Sequence, residues 1–187
     1  MSLIPSFNIG VWNAWLLMLP LALIPVIFAS VKKGLFKKTE STTKLSKTEK
    51  VIFRFSKVFL MLLFLYSIVL PLKLGTLWLY VGLPISLLGI VMYIIVSLNI
   101  ATTPIDRPIT TGLYRYSRHP MYVTSFITPI GAGIASASWL FLLLSVLCII
   151  THFINGISEE RLCLEVYGSQ YKEYLDRTPR WIGIPKS

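Results

Sequence analysis

Five apolar runs set the rhythm of this chain, at residues 11–31, 51–71, 77–98, 120–135 and 138–157, with polar stretches between them. About 20 apolar residues let a helix cross the hydrocarbon of a bilayer. The pattern therefore predicts an all-α integral membrane protein with five transmembrane helices in a single domain, residues 1–187. The fourth run is the shortest. Between the fourth and fifth, GAGIASAS (131–138) leaves room only for a tight turn, so the two are expected to form a helical hairpin over 120–157. Pro20 and Pro25 predict kinks in the first helix. Gly82, Pro84 and Gly89 in the third suit close helix approach.

Beyond the fifth run the period changes. Gly168 is a candidate helix C-cap, and Tyr171, Tyr174 and Leu175 form an apolar face on a short helix at about 169–177. Pro179 ends it, and Trp181 with Ile182 suits a membrane interface or a lid over a site.

Basic residues give the runs a direction. Lys32, Lys33, Lys37, Lys38, Lys44, Lys47 and Lys50 fall in one polar stretch, Arg107, Arg115 and Arg118 in the 99–119 stretch, and Arg161, Lys172, Arg177, Arg180 and Lys186 in the tail. Lys73 alone falls on the opposite side. With five spans, the positive-inside rule puts the N-terminus outside and the C-terminus in the cytoplasm. No basic n-region precedes the first run, so a cleaved signal peptide is not expected.

Composition agrees: 55% of residues are hydrophobic and 14% charged, against about 25% charged in soluble domains, and the mean hydropathy is +0.70. The net charge of +10 is explained by topology and by attraction to anionic membrane lipids, without nucleic acid. Cys148 and Cys163 suggest neither a disulfide framework nor a metal site.

Two polar interruptions carry the candidate chemistry. The first is TTGLYRYSRHPMY (110–122), with Arg115, Arg118 and His119 among aromatic and hydroxyl-bearing neighbours. Pro120 suits the first position of a helix. The N–H groups that follow, with Arg118 and His119, make an anion site there. The second is Glu159-Glu160, at the end of the fifth run. His152, Asn155 and Glu159 lie at i, i+3 and i+7, on one helical face, and ionisable groups at membrane depth face a cavity or a partner. The hairpin brings both interruptions to its cytoplasmic base. Cations at one place and carboxylates at the other suit a zwitterionic ligand.

The segment PITTGLYRYSRHPMY, the hairpin, Glu159-Glu160 and the ending YGSQYKEYLDRTPRW together resemble the isoprenylcysteine carboxyl methyltransferase family, relatives of the phospholipid methyltransferases. The resemblance covers about residues 99–187 and implies an S-adenosylmethionine site formed mainly there. By that resemblance His119 and the stretch Pro120, Met121 and Tyr122, where the last two residues carry the N–H groups, hold the cofactor carboxylate beside Arg118. Glu159 or Glu160 takes the ammonium or ribose hydroxyls. Tyr114 and Tyr122 flank the sulfonium or adenine, and Pro108, Ile109 and Thr110 border the adenine. Asn99, polar at the end of the third run, is a further candidate for the same pocket. His152 and Asn155 are candidates for the acceptor's side.

A carboxylate acceptor is nucleophilic as it stands, so alignment and desolvation are the whole catalytic task. An amine acceptor must lose a proton, which Glu159 or His152 is placed to accept. The implied acceptor is lipidic: an isoprenylcysteine-like carboxylate or, alternatively, an amino-phospholipid. It enters from the bilayer, and the cofactor from the cytoplasm. Two positions depart from the family pattern: Thr124 stands where Gly or Ser is usual, and Asn155-Gly156-Ile157-Ser158 contains no basic residue. Two other classes are weighed against this reading. One is an NADPH-dependent sterol-type reductase, disfavoured because Met121 replaces the Asn of an RHxNY motif. The other is a non-catalytic membrane accessory protein.

Overall fold

The computed structural model describes residues 3, 6–31, 45–104 and 106–186. The cluster Lys32, Lys33, Lys37, Lys38 and Lys44 lies outside the described residues. Among those described there are six α-helices: α1 Trp15–Val31, α2 Lys47–Ile68, α3 Leu77–Thr102, α4 Pro120–Ala135, α5 Trp139–Tyr167 and α6 Ser169–Arg177, with a 3-10 turn at Gly112–Arg115. None of the described residues forms a strand; an isolated antiparallel bridge joins Asn13 to Pro71.

Three helices, α2, α3 and α5, are long and apolar enough to cross a bilayer. At about 1.5 Å per residue, the 16 residues of α4 reach only about 24 Å, less than the roughly 30 Å of a hydrocarbon core. The apolar part of α1, Trp15–Phe28, is also short. Large apolar side chains such as Phe55, Leu62, Leu88, Val91, Leu143 and Ile150 are exposed along α2, α3 and α5. Faces of that kind are rarely left to water; they belong in lipid.

Helices α1 to α5 alternate in direction. At one end the Leu72 N–H donates to the Trp12 carbonyl and the Lys73 N–H to the Ala135 carbonyl, joining the start of α1, the α2–α3 connection and the end of α4. The buried core, with Leu17, Met18, Leu63, Leu70, Ala132 and Phe141, lies toward that end.

Local sequence explains the boundaries. Ser46 and Glu49 form a capping box at α2. Pro120 opens α4, where its missing N–H costs nothing. The α4–α5 turn is only Ser136 to Ser138, and the Ser138 hydroxyl accepts from the Phe141 N–H to start α5. Gly168 ends α5 at φ 56°, a conformation side-chain-bearing residues adopt at a cost.

α3 and α4 pack most closely. A Cβ at Gly82 would stand 2.3 Å from the Ala135 N, and one at Gly131 would stand 2.4 Å from the Ser86 N. The Ser86 hydroxyl donates to the Thr128 carbonyl at 2.9 Å. This seam fixes where the start of α4 sits relative to the end of α3, and so shapes the site.

α5 differs from its sequence-based expectation. Its apolar run stops near Ile157, yet the helix continues unbroken to Tyr167. The 29 residues extend about 43 Å, so the polar last turns project beyond the apolar layer. Glu159 and Glu160 therefore sit inside a continuous helix with another two turns to follow.

Candidate active site

A cavity of about 390 Å³ opens where the end of α5 faces the start of α4, within the range of roughly 300–1,000 Å³ common for small-molecule sites. Arg118, His119, Tyr122 and Glu159 form one wall; Tyr114, Tyr171 and Tyr174 form another. Pro25 and Phe28 of α1, Phe53 of α2 and Ile100 of α3 supply an apolar side. The polar wall and the apolar side line one continuous volume.

Adjacent residues on a helix point about 100° apart, and this separates the two glutamates. Glu160 turns away from the cavity into a buried cluster. Its carboxylate accepts from both Nε and Nη2 of Arg180, at 3.1 and 2.8 Å. It also pairs with Arg118 Nη1 at 3.1 Å and His119 Nε2 at 3.2 Å. Its side chain is 8% exposed, against 37% for Glu159. Glu159 looks into the cavity, accepts from the Tyr122 hydroxyl, and lies 3.6 Å from His119 Nδ1.

His119 thus bridges both carboxylates. Burial lowers its pKa, but the hydrogen bonds that the ring donates to Glu159 and Glu160 outweigh burial and hold the imidazole above its usual range. Tyr114 is pushed well above the ordinary phenol range, first by burial and then by the Glu159 charge, so it remains a neutral ring. Tyr174 reinforces this wall: its hydroxyl donates to the Tyr114 carbonyl at 2.7 Å.

The tail completes the junction. The Arg118 N–H donates to the Pro179 carbonyl, and Trp181 packs on His119 with ring centroids 5.3 Å apart. A Cβ at Gly156 would stand 3.0 Å from the Trp181 ring and 3.2 Å from His119 Nε2. Gly156 is the gap that lets both rings lie against α5.

The structure brings Pro108, Ile109, Tyr114, Arg118, His119, Met121, Tyr122 and Glu159 to the lining of one cavity. It does not bring the other candidates there. Pro120 is buried at the start of α4, and Glu160 is held in the cluster. Thr110 faces a second recess, across the chain from the first. Asn99 lies against Gly112, its Nδ2 buried without a hydrogen-bond partner.

The single face expected for His152, Asn155 and Glu159 splits. Steps of three and seven residues turn a helix by about −60° and −20°. His152 and Glu159 both meet Tyr122, while Asn155 turns to α2 and its Nδ2 donates to the Ser56 hydroxyl at 2.9 Å. His152 donates from Nδ1 to the Cys148 carbonyl at 2.9 Å, and its ring sits edge-on to Tyr122 and Phe126. Thr124 is buried, with its hydroxyl on the Met121 carbonyl.

Sequence reasoning missed three contributions. Helices α1, α2 and α3 line the cavity as well as supplying spans. Arg180 is the bidentate partner of Glu160, and its signal is a cation beside Trp181, in a tail that suits a membrane interface or a lid over a site. Glu49 of α2 accepts from Arg161 Nη2 at 2.8 Å and from the Ser158 hydroxyl at 2.9 Å, clamping α2 to the last turns of α5. Its place in a capping box concealed that second role.

Comparison with known proteins adds an independent line. The family model described as phospholipid methyltransferase matches residues 72–170, just over half of the chain. The chain belongs to the phospholipid methyltransferase family. It is also 33% identical over 78 residues to the protein-S-isoprenylcysteine O-methyltransferase of Schizosaccharomyces pombe. That match covers 41% of this chain and 32% of the yeast protein, so the chain spans about a third of the relative's length. For a member of the phospholipid methyltransferase family, the matched stretch takes in α3, α4 and α5, and with them His119, Glu159 and Glu160.

Proposed function

We propose that the protein is a membrane methyltransferase dependent on S-adenosylmethionine, acting on a lipidic acceptor at the cytoplasmic end of five spans, with the N-terminus outside. The observation that carries this reading is the amphipathic cavity, with charged groups on one wall and residues of the membrane helices on the other. A cofactor with a carboxylate, an ammonium and a sulfonium fits the residues present. Arg118 lines the cavity, and its Nε is buried without a hydrogen-bond partner. An uncommitted buried donor of that kind costs free energy unless a ligand accepts from it. When bound, S-adenosylmethionine supplies a methyl group already activated by positive sulfur.

The chain's own residues then divide the work. Arg118 Nε and the Met121 N–H, the first in α4, hold a carboxylate, since the Tyr122 and Val123 N–H groups donate to the His119 carbonyl. Glu159 takes a cationic or hydroxylic group. Tyr114 and Tyr122 present ring faces to positive charge. Glu160 and Arg180 hold Arg118 and His119 in place.

The favoured acceptor is an isoprenylcysteine-like carboxylate, with its chain against Phe28, Phe53 and Ile100. It needs no base, and His119 is already committed to hydrogen bonds with two carboxylates. The family match also supports a second acceptor class, an amino-phospholipid, for which Glu159 is the carboxylate on the cavity wall positioned to accept a proton. Radiolabelled methyl transfer by the purified protein to a panel of prenylcysteine analogues and amino-phospholipids tests the reading. Label in a prenylcysteine ester is the expected result. Label in the phospholipid amine replaces the acceptor. Binding of NADPH with no affinity for S-adenosylmethionine overturns the reading.

A further inference from the structure

Behind the cavity wall lies a second recess of about 420 Å³, between the 3-10 turn, α6 and the residues that follow α6. Its polar lining is cationic: Arg115, Arg177 and Lys186, with the hydroxyls of Thr110 and Thr111. Among the described residues, one carboxylate pairs with them, Glu173, at 3.3 Å from Arg177. Three cations against one carboxylate leave the recess with surplus positive charge and several donors. That is the chemistry of a phosphate site.

The rim identifies the source of the phosphate. Residues 181–186 form a strap pinned by its backbone: the Gly183 N–H donates to the Tyr116 carbonyl at 3.0 Å, and the Lys186 N–H to the Arg177 carbonyl at 2.9 Å. Held this way, the strap turns Ile182 and Ile184 outward, 76% and 89% exposed, beside an exposed Tyr116. Trp181, at the strap's start, packs edge-on to Phe153, with ring centroids 4.0 Å apart. Phe153 lies on the apolar part of α5, so the strap folds back from α6 to the level where that helix leaves the lipid. Exposed isoleucines on a fixed backbone next to clustered cations match the surface of an interfacial anchor.

We propose that this recess binds the phosphate of an anionic phospholipid headgroup, with Ile182 and Ile184 inserted among the acyl chains beside it. The site is independent of the methyl-transfer reading and uses none of the charged residues assigned to the cavity. It touches the cavity only through Tyr174, which lines both volumes.

Native mass spectrometry of the purified chain, released from detergent with equal amounts of phosphatidylglycerol and phosphatidylcholine, tests the site. The wild-type protein is expected to retain one phosphatidylglycerol at least about fivefold in preference to phosphatidylcholine. The triple variant Arg115→Gln, Arg177→Gln, Lys186→Gln is expected to lose that preference, while Lys73→Gln, on the opposite face, keeps it. If the triple variant melts early, Ile182→Ser with Ile184→Ser decides, since it leaves every charge in place and is expected to weaken retention. Unchanged retention in the triple variant overturns the proposal. Equal retention of phosphatidylglycerol and phosphatidylcholine by the wild-type protein also overturns it, because the recess would then not select an anionic headgroup.

Discussion

Between α3 and α4 two backbones meet almost bare, with Gly82 against Ala135 and Gly131 against Ser86. Where the end of α5 meets the start of α4, contact is made instead by long charged side chains: Arg118, His119, Glu160 and Arg180. The first contact holds because side-chain atoms are missing. The second holds because three basic side chains share one buried carboxylate. Added atoms should break the one and removed atoms the other. The cavity depends on both, because α4 belongs to the seam along its length and to the charged junction at its first turn.

The largest effect is expected at the seam. Gly131→Val drives a branched side chain into the Ser86 backbone, which has no rotamer to move. Overpacking of that kind costs about 3 kcal/mol or more, read as a fall in melting temperature in detergent with cofactor binding lost alongside the fold. A stable Gly131→Val protein would show that the seam is looser than its geometry.

Subtraction at the junction comes next. Glu160→Gln leaves Arg118, His119 and Arg180 without their shared carboxylate. Breaking a buried pair costs about 3–5 kcal/mol, but Arg180 is 42% exposed, so about 2–3 kcal/mol is expected here. Its neighbour sharpens the contrast. Glu159→Gln keeps an acceptor for the Tyr122 hydroxyl, so stability is expected to stay within about 0.5 kcal/mol. Affinity for S-adenosylhomocysteine, measured by calorimetry, should fall about tenfold or more. Equal effects at both positions would erase the division between a holding glutamate and a binding one.

The smallest effect is that of pH. His119 faces Glu159, Glu160, Arg118 and the Trp181 ring, and its folded pKa is raised. Its stabilisation is therefore fully present below the unfolded value of about 6.5 and is lost as pH rises through the folded value. Melting temperature should be level in mild acid and decline by a few degrees across the alkaline side of neutrality. The decline should shrink in Glu160→Gln, which removes one of the hydrogen bonds that raise the pKa. The seam has no ionisable group and should contribute no slope.

How much of this was legible in the sequence follows from the range of each signal. Apolar runs, Pro120, Gly168 and the period of 169–177 act within a few residues, and the helices begin and end close to where those signals stand. The Glu159-Glu160 pair was visible as an anomaly, but the roles of its members were not. Those roles depend on which way a helix of unknown rotation faces, and on Arg180, 20 residues away. Asn155 was misdirected for a related reason: its angular offset from His152 is small on a helical wheel, yet wide enough to reach Ser56 of another helix. The linings from Pro25, Phe28 and Phe53 carry no local signal, because an apolar residue facing a cavity reads the same as one facing lipid.

The tail contacts give the molecule an order in time. Every residue that lines the cavity precedes Thr178, while Pro179, Arg180 and Trp181 set Arg118, Glu160 and His119 in their working positions. As the chain is synthesised, the walls of the site exist before the residues that align them. A chain stopped after Arg177 would carry all six helices and the whole lining, yet Glu160 would face two buried cations without the bidentate partner that fixes its orientation. Possession of the site and readiness of the site are thus separated by three residues.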